Sequence, residues 1–350
     1  MSCIYVVTGI GGHLGNTVAK QLLARGETVR GFARPDENVT MLYGDAVSIV
    51  RGDVRDPASL EPLFCGVRDD EEIRFIHCAG IVSIASKYSQ TVEDVNVQGT
   101  LHVVEACKAH GVKKLVYVSS VHAIPELPFG STIKEVRATP PEAVDGLYAK
   151  TKAAATQIVL DAARDGLDAT IVHPSGIIGP NDYGRGHLTQ LIVNYLNGSL
   201  TASVKGGYDF VDVRDVAKGI IAASEKGRKG ECYILSNRFI RVPELLNALS
   251  RITNGRKVRT VLPLWFAKAT APFAELYYKI RHEAPLFTKY SLQTLNSNAR
   301  FTHEKARREL GYKPRDISDT LRDTVDFLLR ERKNLFKKRR RARMIPVNAL

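Results

Sequence analysis

A tyrosine and a lysine four residues apart, Tyr148 and Lys152, are the side chains in this sequence best suited to move a proton. They begin an alanine-rich stretch that predicts a helix to residue 163, and their spacing places them on one face, one turn apart. An ammonium beside a phenol favours the phenolate, which lowers the phenol pKa from its ordinary value near ~10. Tyr148 could then exchange a proton with an alcohol or carbonyl oxygen that Ser120, just past a predicted strand, also binds. Taken alone, such a pair is more often an exposed contact on a helix surface.

A glycine-rich turn near the start of the chain predicts the binding site of a second reactant. Gly9, Gly12 and Gly15 follow a short apolar strand and precede a helical stretch. Gly9 allows a sharp turn, Gly12 lets the backbone approach a ligand, and Gly15 lets the helix pack close to the sheet. His13 and Leu14 lie at the start of this helix, where free N–H groups and the helix dipole favour a pyrophosphate. The turn therefore predicts a dinucleotide cofactor that exchanges a hydride with the substrate.

The end of the second predicted strand, residues 27–34, bears on the choice of cofactor. In a dinucleotide fold an acid at this place binds the ribose 2′-hydroxyl, whereas an arginine accommodates a 2′-phosphate. Ala33 stands where the acid is expected and Arg34 follows it, which favours NADP over NAD. Asp36 and Glu37 come slightly later, yet one of them could still reach the ribose, and Arg34 could equally be a solvated side chain.

Other strand ends complete the predicted cofactor site. Asp53 is placed to meet the adenine, with Val54 packing beside it, and small residues after the fourth strand suit close approach to the cofactor. His77, in that strand, is expected to be a packed histidine and not a catalyst. The remaining predicted cofactor contacts, besides Tyr148 and Lys152, are Ala79, Gly80, Pro174, Ser175 and Ile177.

The alternation of strands and helices over the first 175 residues predicts the fold class α/β, as a Rossmann doubly wound parallel sheet. Beyond residue 175 the alternation loosens, which predicts a smaller C-terminal α+β domain for the substrate. We predict the cofactor domain over residues 1–175, with returning segments near 208–236. The substrate domain should cover 176–207 and 237–330, followed by a basic tail over 331–350.

Composition restricts the class of protein. An apolar content of 44% and a charged content of 25% are typical of a soluble globular protein. Five cysteines without metal-ligand spacing predict reduced thiols in a cytoplasmic protein and no metal site. Of the net charge of +13, +8 lies between Arg330 and Arg343, so we expect no nucleic-acid partner for the rest of the chain. We interpret the tail as a solvated, disordered extension or as a contact with an anionic membrane surface; RNA binding is a less favoured third alternative, because no aromatic residues are interleaved with the charges.

Together the motifs resemble the extended short-chain dehydrogenase/reductase superfamily, the NAD-dependent epimerases and dehydratases, over residues 4–329. The resemblance implies a catalytic triad of Ser120, Tyr148 and Lys152, with Asn96 in a supporting or proton-relay role, and a homodimer. The residues that carry it are Gly9, Gly12, Gly15, Gly52-Asp53, Asn96-Val-Gln-Gly99-Thr100, Ser119-Ser120, Tyr148-xxx-Lys152, the run from Asp209 to Ala217 and the run from Ser297 to Tyr312.

The branch within the superfamily follows from two departures. No asparagine precedes Gly179 in the segment after the sixth strand, unlike sugar-nucleotide epimerases, and Ser120-Val121-His122 lacks the carboxylates of the dehydratases. Arg34, the Pro-Ser-Gly run and the apolar region 262–280 look more like the 3β-hydroxysteroid dehydrogenase and dihydroflavonol reductase branch. That resemblance implies an NAD(P)-dependent enzyme that interconverts a secondary alcohol and a ketone on an apolar cyclic substrate, steroid- or flavonoid-like.

Two alternatives stay open. One is a nucleotide-sugar epimerase that holds NAD tightly and recycles its hydride, and the other is a non-catalytic dinucleotide-sensing protein on the same fold. The aromatic segment 263–281 has two interpretations as well: ordinary packing, or an apolar wall for the substrate, with Tyr183 at the mouth of the site.

Overall fold

The computed structural model describes residues 2–84, 88–184, 186–267, 269 and 289–343, with the backbone alone at 289 and 332–343. The strands are β1 (Ser2–Thr8), β2 (Thr28–Ala33), β3 (Ser48–Arg51), β4 (Glu71–His77), β5 (Lys114–Val118), β6 (Ala169–Pro174), β7 (Gly176–Ile178), β8 (Ala202–Val204), β9 (Gly207–Asp212), β10 (Cys232–Leu235), β11 (Arg238–Arg241) and β12 (Thr260–Leu262). The helices are α1 (His13–Leu23), α2 (Thr40–Tyr43), α3 (Gln90–Glu93), α4 (Gly99–Ala109), α5 (Leu147–Arg164), α6 (His187–Leu196), α7 (Val213–Lys226), α8 (Val242–Thr253), α9 (Lys289–Thr294), α10 (Glu304–Leu310) and α11 (Ile317–Arg343).

Seven parallel strands form the central sheet, in the order β10-β6-β5-β4-β1-β2-β3. The strands β1, β5 and β6 are buried over nearly their whole length, because helices cover both faces of a parallel sheet. The chain winds outward from β1 to β3 and then in the opposite direction from β4, so the order reverses between β1 and β4. This confirms the predicted doubly wound sheet, and it places the ligand crevice outside the carboxyl ends of β1 and β4.

Two smaller sheets lie in the second half of the chain. The strands β7 and β9 pair in parallel and β11 is antiparallel to β9, while β8 pairs with β12. Their apolar residues pack with those of α6, α8 and α11 in a separate core that includes Ile192, Leu246 and Leu321. The strand β10 joins the large sheet and α7 packs against α1. The residue bounds of the two predicted domains stay a prediction.

The helix α11 continues through Arg343, into the predicted basic tail 331–350, for which one interpretation was a disordered extension. Lysine, arginine and glutamate are good helix formers, so a basic composition does not by itself end a helix. Residues 344–350 of the tail lie outside the described residues, as do Phe273, Tyr277 and Tyr278 of the aromatic segment. Among the residues that the structure covers, no helix has the length and apolar character needed to cross a bilayer.

Candidate functional site

The glycine turn after β1 is shaped by close contacts that leave no room for side chains. Gly9 has φ +65°, and a Cβ on it would lie 2.9 Å from the backbone of Ala79. A Cβ on Gly15 would lie 2.2 Å from the carbonyl oxygen of Gly9, so α1 packs directly on the turn. Gly12 is exposed and precedes α1 without a side-chain cap, which leaves the first N–H groups of the helix available. These residues fit a pyrophosphate at the helix N-terminus.

The other two residues predicted in this turn, His13 and Leu14, lie in the first turn of α1. His13 Nε2 is 3.0 Å from the carbonyl oxygen of Pro180, and Asn16 donates to the carbonyl oxygen of Asn181 at 3.0 Å. Leu14 is partly buried and packs in the core beneath the sheet. The side chain of His13 therefore ties the glycine turn to the loop after β7, while its backbone remains at the predicted pyrophosphate site.

A chain of hydrogen bonds links the ends of β1 and β4 to α4. The hydroxyl of Thr8 accepts from the Ala79 N–H at 3.1 Å and lies 2.7 Å from His77 Nδ1. His77 Nε2 lies 3.2 Å from the Thr100 hydroxyl, which itself donates to the carbonyl oxygen of Asn96. Thr100 must therefore accept from His77, and His77 must accept from Thr8. Burial lowers the pKa of His77 to about 3, which keeps the ring neutral and confirms the expected packed histidine.

The loop after β4 lies between the glycine turn and the proton-transfer residues. A Cβ on Gly80 would lie 3.2 Å from Asn96 Oδ1 and 3.4 Å from Lys152 Nζ. Asn96 is buried in one widened π-helical turn, Asp94–Gln98, a feature that is frequent at functional sites. Its amide accepts from the Ile81 N–H at 2.8 Å and donates to the Ile81 carbonyl and to Thr151. Asn96 therefore holds this loop in place beside Lys152.

The structure brings the predicted triad together. Ser120 follows β5 and begins the short 3₁₀ turn Val121–Ala123, while Tyr148 and Lys152 lie in the first turns of α5. Burial raises the pKa of Tyr148 to about 12, and a hydrogen bond with Ser120 opposes that rise. Burial lowers the pKa of Lys152 to about 8. Its amine donates to the Val118 carbonyl at 2.8 Å and to the Tyr117 hydroxyl at 3.2 Å.

Two residues that the sequence analysis did not select hold this triad in place. Tyr117 accepts from Lys152, whose nitrogen also lies 4.9 Å from the centre of the Tyr117 ring. His173, buried in β6, donates from Nδ1 to the carbonyl oxygen of Ser120 at 2.9 Å. Their positions in the sequence could have indicated this role. Tyr117 lies in β5 and His173 in β6, and a polar side chain in a buried strand needs a hydrogen-bond partner.

Arg34 is not free to receive a phosphate in this structure. Its guanidinium lies 3.1 Å from a carboxylate oxygen of Glu37 and 3.6 Å from one of Asp36. The other carboxylate oxygen of Glu37, Oε2, is buried without a hydrogen-bond partner among the described residues. A Cβ on Gly11 would lie 2.8 Å from that oxygen, so the carboxylate lies against the glycine turn. Arg34 therefore gives weaker support to NADP than its position in the sequence suggested, because two carboxylates already pair with the guanidinium.

The predicted adenine contacts, Asp53 and Val54, follow β3, the strand that pairs with β2. Asp53 accepts two hydrogen bonds from the Arg55 guanidinium, at 3.0 and 2.7 Å, and these lower the pKa of its carboxyl. Val54 is buried against Gly99, where a Cβ would lie 2.6 Å from its side chain. The carboxylate of Asp53 is thus occupied by Arg55, and its contact with a cofactor stays a prediction.

The last group of predicted cofactor residues follows β6. Pro174 ends this strand opposite Leu235, and Ile177 lies in β7 opposite Val211. The hydroxyl of Ser175 donates to Asp209 at 2.5 Å. Burial raises the pKa of Asp209 to about 6, although hydrogen bonds from Ser175 and from the Asn237 N–H oppose the rise.

A cavity of ≈110 Å³ is lined by Val121, His122 and Ala149, which are chain neighbours of Ser120 and Tyr148, and by residues from the second half of the chain; the triad side chains themselves are not part of its lining. Its lining includes His122, with Tyr208 from β9 and Tyr290 from α9. The ring of His122 packs edge-on against Tyr148, with 5.8 Å between ring centres. No lysine or arginine lines this cavity among the described residues, whereas Glu126 and Asp145 do. His122, Tyr208 and Tyr290 are therefore the pocket residues that sequence analysis missed.

No cluster of three or more metal-ligating side chains occurs in the described part of the chain. The proton-transfer residues and the glycine turn instead form a continuous row from Gly9 through Ala79 and Gly80 to Lys152. Such a row fits a nicotinamide dinucleotide, which residues at the N-terminus of α1 would hold by its pyrophosphate.

The comparisons with known proteins agree with this geometry. The profile of the NAD dependent epimerase/dehydratase family matches residues 5–236. Sterol demethylase protein B of Methylococcus capsulatus is 34% identical over 325 residues, which cover 91% of this chain and 96% of that protein. A Synechocystis protein described provisionally as a dihydroflavonol 4-reductase is 29% identical over 335 residues, covering 93% and 94%. The crystal structure of gox2253 has a TM-score of 0.80 at 30% identity and covers 94% of this chain and 98% of its own.

The family profile extends over both the glycine turn and the triad, and the two relatives and the gox2253 structure each cover more than nine tenths of the chain. The chain therefore belongs to the NAD-dependent epimerase/dehydratase family, the enzymes of the extended short-chain dehydrogenase/reductase superfamily.

Proposed function

We propose that this enzyme is an NAD(P)-dependent oxidoreductase that interconverts a secondary alcohol and a ketone on an apolar cyclic substrate, steroid- or flavonoid-like. The observation that carries the proposal is the phenol of Tyr148, hydrogen-bonded to Ser120 and one helical turn from the buried amine of Lys152. The names of two relatives, a sterol demethylase protein and a dihydroflavonol reductase, support the choice of an apolar ring substrate.

Each residue of the triad has a separate role in the proton transfer. The nicotinamide supplies or accepts the hydride when it is bound. Burial raises the pKa of Tyr148 to about 12, so its phenol is protonated and suited to donate a proton from its hydroxyl to a ketone oxygen. Ser120 positions that oxygen beside the phenol. In the oxidative direction Tyr148 must first lose its proton. Positive charge at Lys152 lowers the pKa of the Tyr148 phenol for that step.

The lining of the cavity favours this proposal over the nucleotide-sugar epimerase. A nucleotide-sugar substrate carries a diphosphate, which proteins usually bind with arginine or lysine. The described residues lining the cavity include two carboxylates and no such cation. The epimerase alternative predicts that the purified protein retains stoichiometric NAD, since an epimerase must keep and recycle its hydride. A protein that is purified empty and turns over free cofactor contradicts that alternative.

The choice between the two cofactors rests on Glu37. Its carboxylate lies against the glycine turn and neutralises Arg34, the residue on which the prediction of NADP depended. A carboxylate at this place accepts hydrogen bonds from a ribose diol and repels a 2′-phosphate. The proposal therefore includes NAD as the preferred cofactor.

The test of the function is the substitution Tyr148→Phe. Rates of NADH oxidation would be measured with a steroid ketone and a dihydroflavonol, and NADH affinity would be measured separately. We expect a loss of ~10²-fold or more in turnover with NADH binding retained, because the ring stays and only the acid is removed. Tyr195→Phe is the matched control, since it removes a buried hydroxyl that donates to Arg256, outside the cavity. Equal turnover by Tyr148→Phe and wild type would exclude Tyr148 as the acid.

A further inference from the structure

Beside the triad, His122 and Tyr208 form a second polar pair that the proton transfer to the reacting oxygen does not use. His122 Nε2 lies 3.0 Å from the Tyr208 hydroxyl, and the two rings stack with 5.6 Å between their centres. Burial lowers the pKa of His122 to about 4 and raises that of Tyr208, so both side chains are neutral at ordinary pH. A neutral imidazole bonded to a neutral phenol can act both as a donor and as an acceptor.

The position of the pair is fixed relative to the reacting oxygen. The backbone N–H of His122 donates to the hydroxyl oxygen of Ser120 at 3.2 Å, within one 3₁₀ turn. On the other side, the ring of His122 packs against the edge of Tyr148. A substrate whose oxygen is held by Ser120 and Tyr148 therefore presents its neighbouring atoms to His122.

One ring nitrogen of His122 is still available. Nε2 is committed to Tyr208, whereas Nδ1 makes no hydrogen bond with any of the residues that the structure covers. The side chain lines the cavity together with Tyr208 and Tyr290. If Nε2 accepts from Tyr208, Nδ1 carries the proton and can donate to a carbonyl oxygen. If Nε2 donates, Nδ1 can accept from a hydroxyl.

The charges around the cavity restrict the ligand group further. Glu126 and Asp145 line it, and no described lining residue is a lysine or arginine. A carboxylate or phosphate on the substrate would meet like charge without a compensating cation, which is unfavourable. An anionic group opposite His122 is therefore disfavoured, and the donor and acceptor capacity of the neutral imidazole suits an uncharged oxygen.

From this geometry we propose that the substrate carries a second, uncharged oxygen on a carbon close to the one that is oxidised or reduced, and that His122, supported by Tyr208, binds it. This inference rests on the proposed function and narrows its substrate class from an apolar ring to a ring with two neighbouring oxygen functions. His122 is the residue that touches the substrate, and Tyr208 is a positioning residue that fixes its tautomer and orientation.

Two cyclic ketones of similar shape test the proposal. Ethyl 2-oxocyclohexanecarboxylate carries an ester carbonyl next to its ketone, and 2-butylcyclohexanone has the same side-chain length without the ester oxygens. Dissociation constants would be measured calorimetrically on the NADH-saturated protein, and NADH oxidation would be followed for both ketones. We expect the keto ester to bind on the order of tenfold more tightly than the butyl ketone, because only the ester can pair with His122.

The variants identify the residues responsible. His122→Phe and Tyr208→Phe keep an aromatic ring at each place and should reduce the preference for the keto ester to near onefold. Tyr195→Phe should keep the wild-type preference. Because Tyr208→Phe removes only one hydroxyl, it tests the pair even if His122→Phe does not fold.

The outcomes separate the two proposals. Equal or undetectable binding of the two ketones by wild type overturns the inference, as does a preference that survives both variants. Preferential binding of the keto ester without NADH oxidation supports the inference and contradicts the proposed oxidoreductase function. If both ketones oxidise NADH but bind equally well, the oxidoreductase function is supported and the inference about the second oxygen is contradicted.

Discussion

Replacing Lys152 by methionine should make the stability of the cofactor-free protein less dependent on pH. The amine is buried between β5 and α5, where it donates to the Val118 carbonyl and the Tyr117 hydroxyl. Its side chain is 5% exposed, so desolvation penalises its charged form. Burial therefore lowers its pKa from the ordinary 10.5 to about 8. Methionine has a similar length and no charge, so the variant removes the titration while keeping much of the packing.

The magnitude follows from the two pKa values. Above pH 10.5 the amine is neutral in both the folded and the unfolded chain. As the pH falls, the unfolded chain binds a proton that the folded protein does not bind until about pH 8, and this destabilises the fold. Each unit of pKa difference corresponds to ~1.36 kcal/mol. Integrated between the two conditions, the contribution of Lys152 to the free energy of unfolding should be ~2.5 kcal/mol more favourable at pH 10 than at pH 7.

The assay is urea denaturation of wild type and Lys152→Met at pH 7 and at pH 10, without cofactor. Other titrating groups cancel because they are present in both proteins. We expect the difference in unfolding free energy between the two proteins to change by ~2.5 kcal/mol, with wild type gaining at pH 10. Lys150→Met, at an exposed position on the same helix, is the control and should show no such change. A difference that is the same at both pH values would refute the argument that the amine is desolvated.

Three further predictions concern the cofactor and the triad. Glu37→Gln should raise the affinity for NADP relative to NAD on the order of tenfold, because it removes the charge that opposes a 2′-phosphate. Titrations with both cofactors measure this, and an unchanged ratio of the two dissociation constants would show that Glu37 does not face the ribose. Ser120→Ala should lower kcat by ~10²-fold through loss of one hydrogen bond to the reacting oxygen, measured by NADH oxidation, and a change confined to KM would contradict this role. Gly15→Ala should destabilise the protein by ~1–3 kcal/mol in thermal unfolding, since the new Cβ would lie 2.2 Å from the Gly9 carbonyl oxygen. Gly184→Ala is the control and should not destabilise it, because the nearest atom to its new Cβ is 3.8 Å away.

The parts of the site that the sequence predicted are those with local signals. The glycine spacing specifies a turn between a strand and a helix, and the spacing of four from Tyr148 to Lys152 specifies one helix face. The alternation of strands and helices likewise predicted the parallel sheet, which the strand order confirms.

The parts that the sequence did not predict depend on where a side chain points after folding. Arg34 had the right position for a phosphate, but Glu37 turns back onto it and onto the glycine turn, which no spacing rule encodes. The cavity is built from His122, Tyr208 and Tyr290, which lie in three distant segments and meet only through tertiary packing. Their proximity could not be read from one sequence.

The cavity, unlike the triad, is shared between two parts of the chain: His122 belongs to the same stretch as the triad, and the rest of the lining comes from later segments. Ser120, Tyr148 and Lys152 lie within one continuous stretch supported by the large sheet, whereas Tyr208 and Tyr290 enter from β9 and α9. Mutations that accumulate in the later segments can therefore alter what is recognised while the reaction is inherited unchanged. This separation offers a physical basis for substrate divergence on a common catalytic frame, and it marks β9 and α9 as the segments to exchange between relatives when a new specificity is wanted.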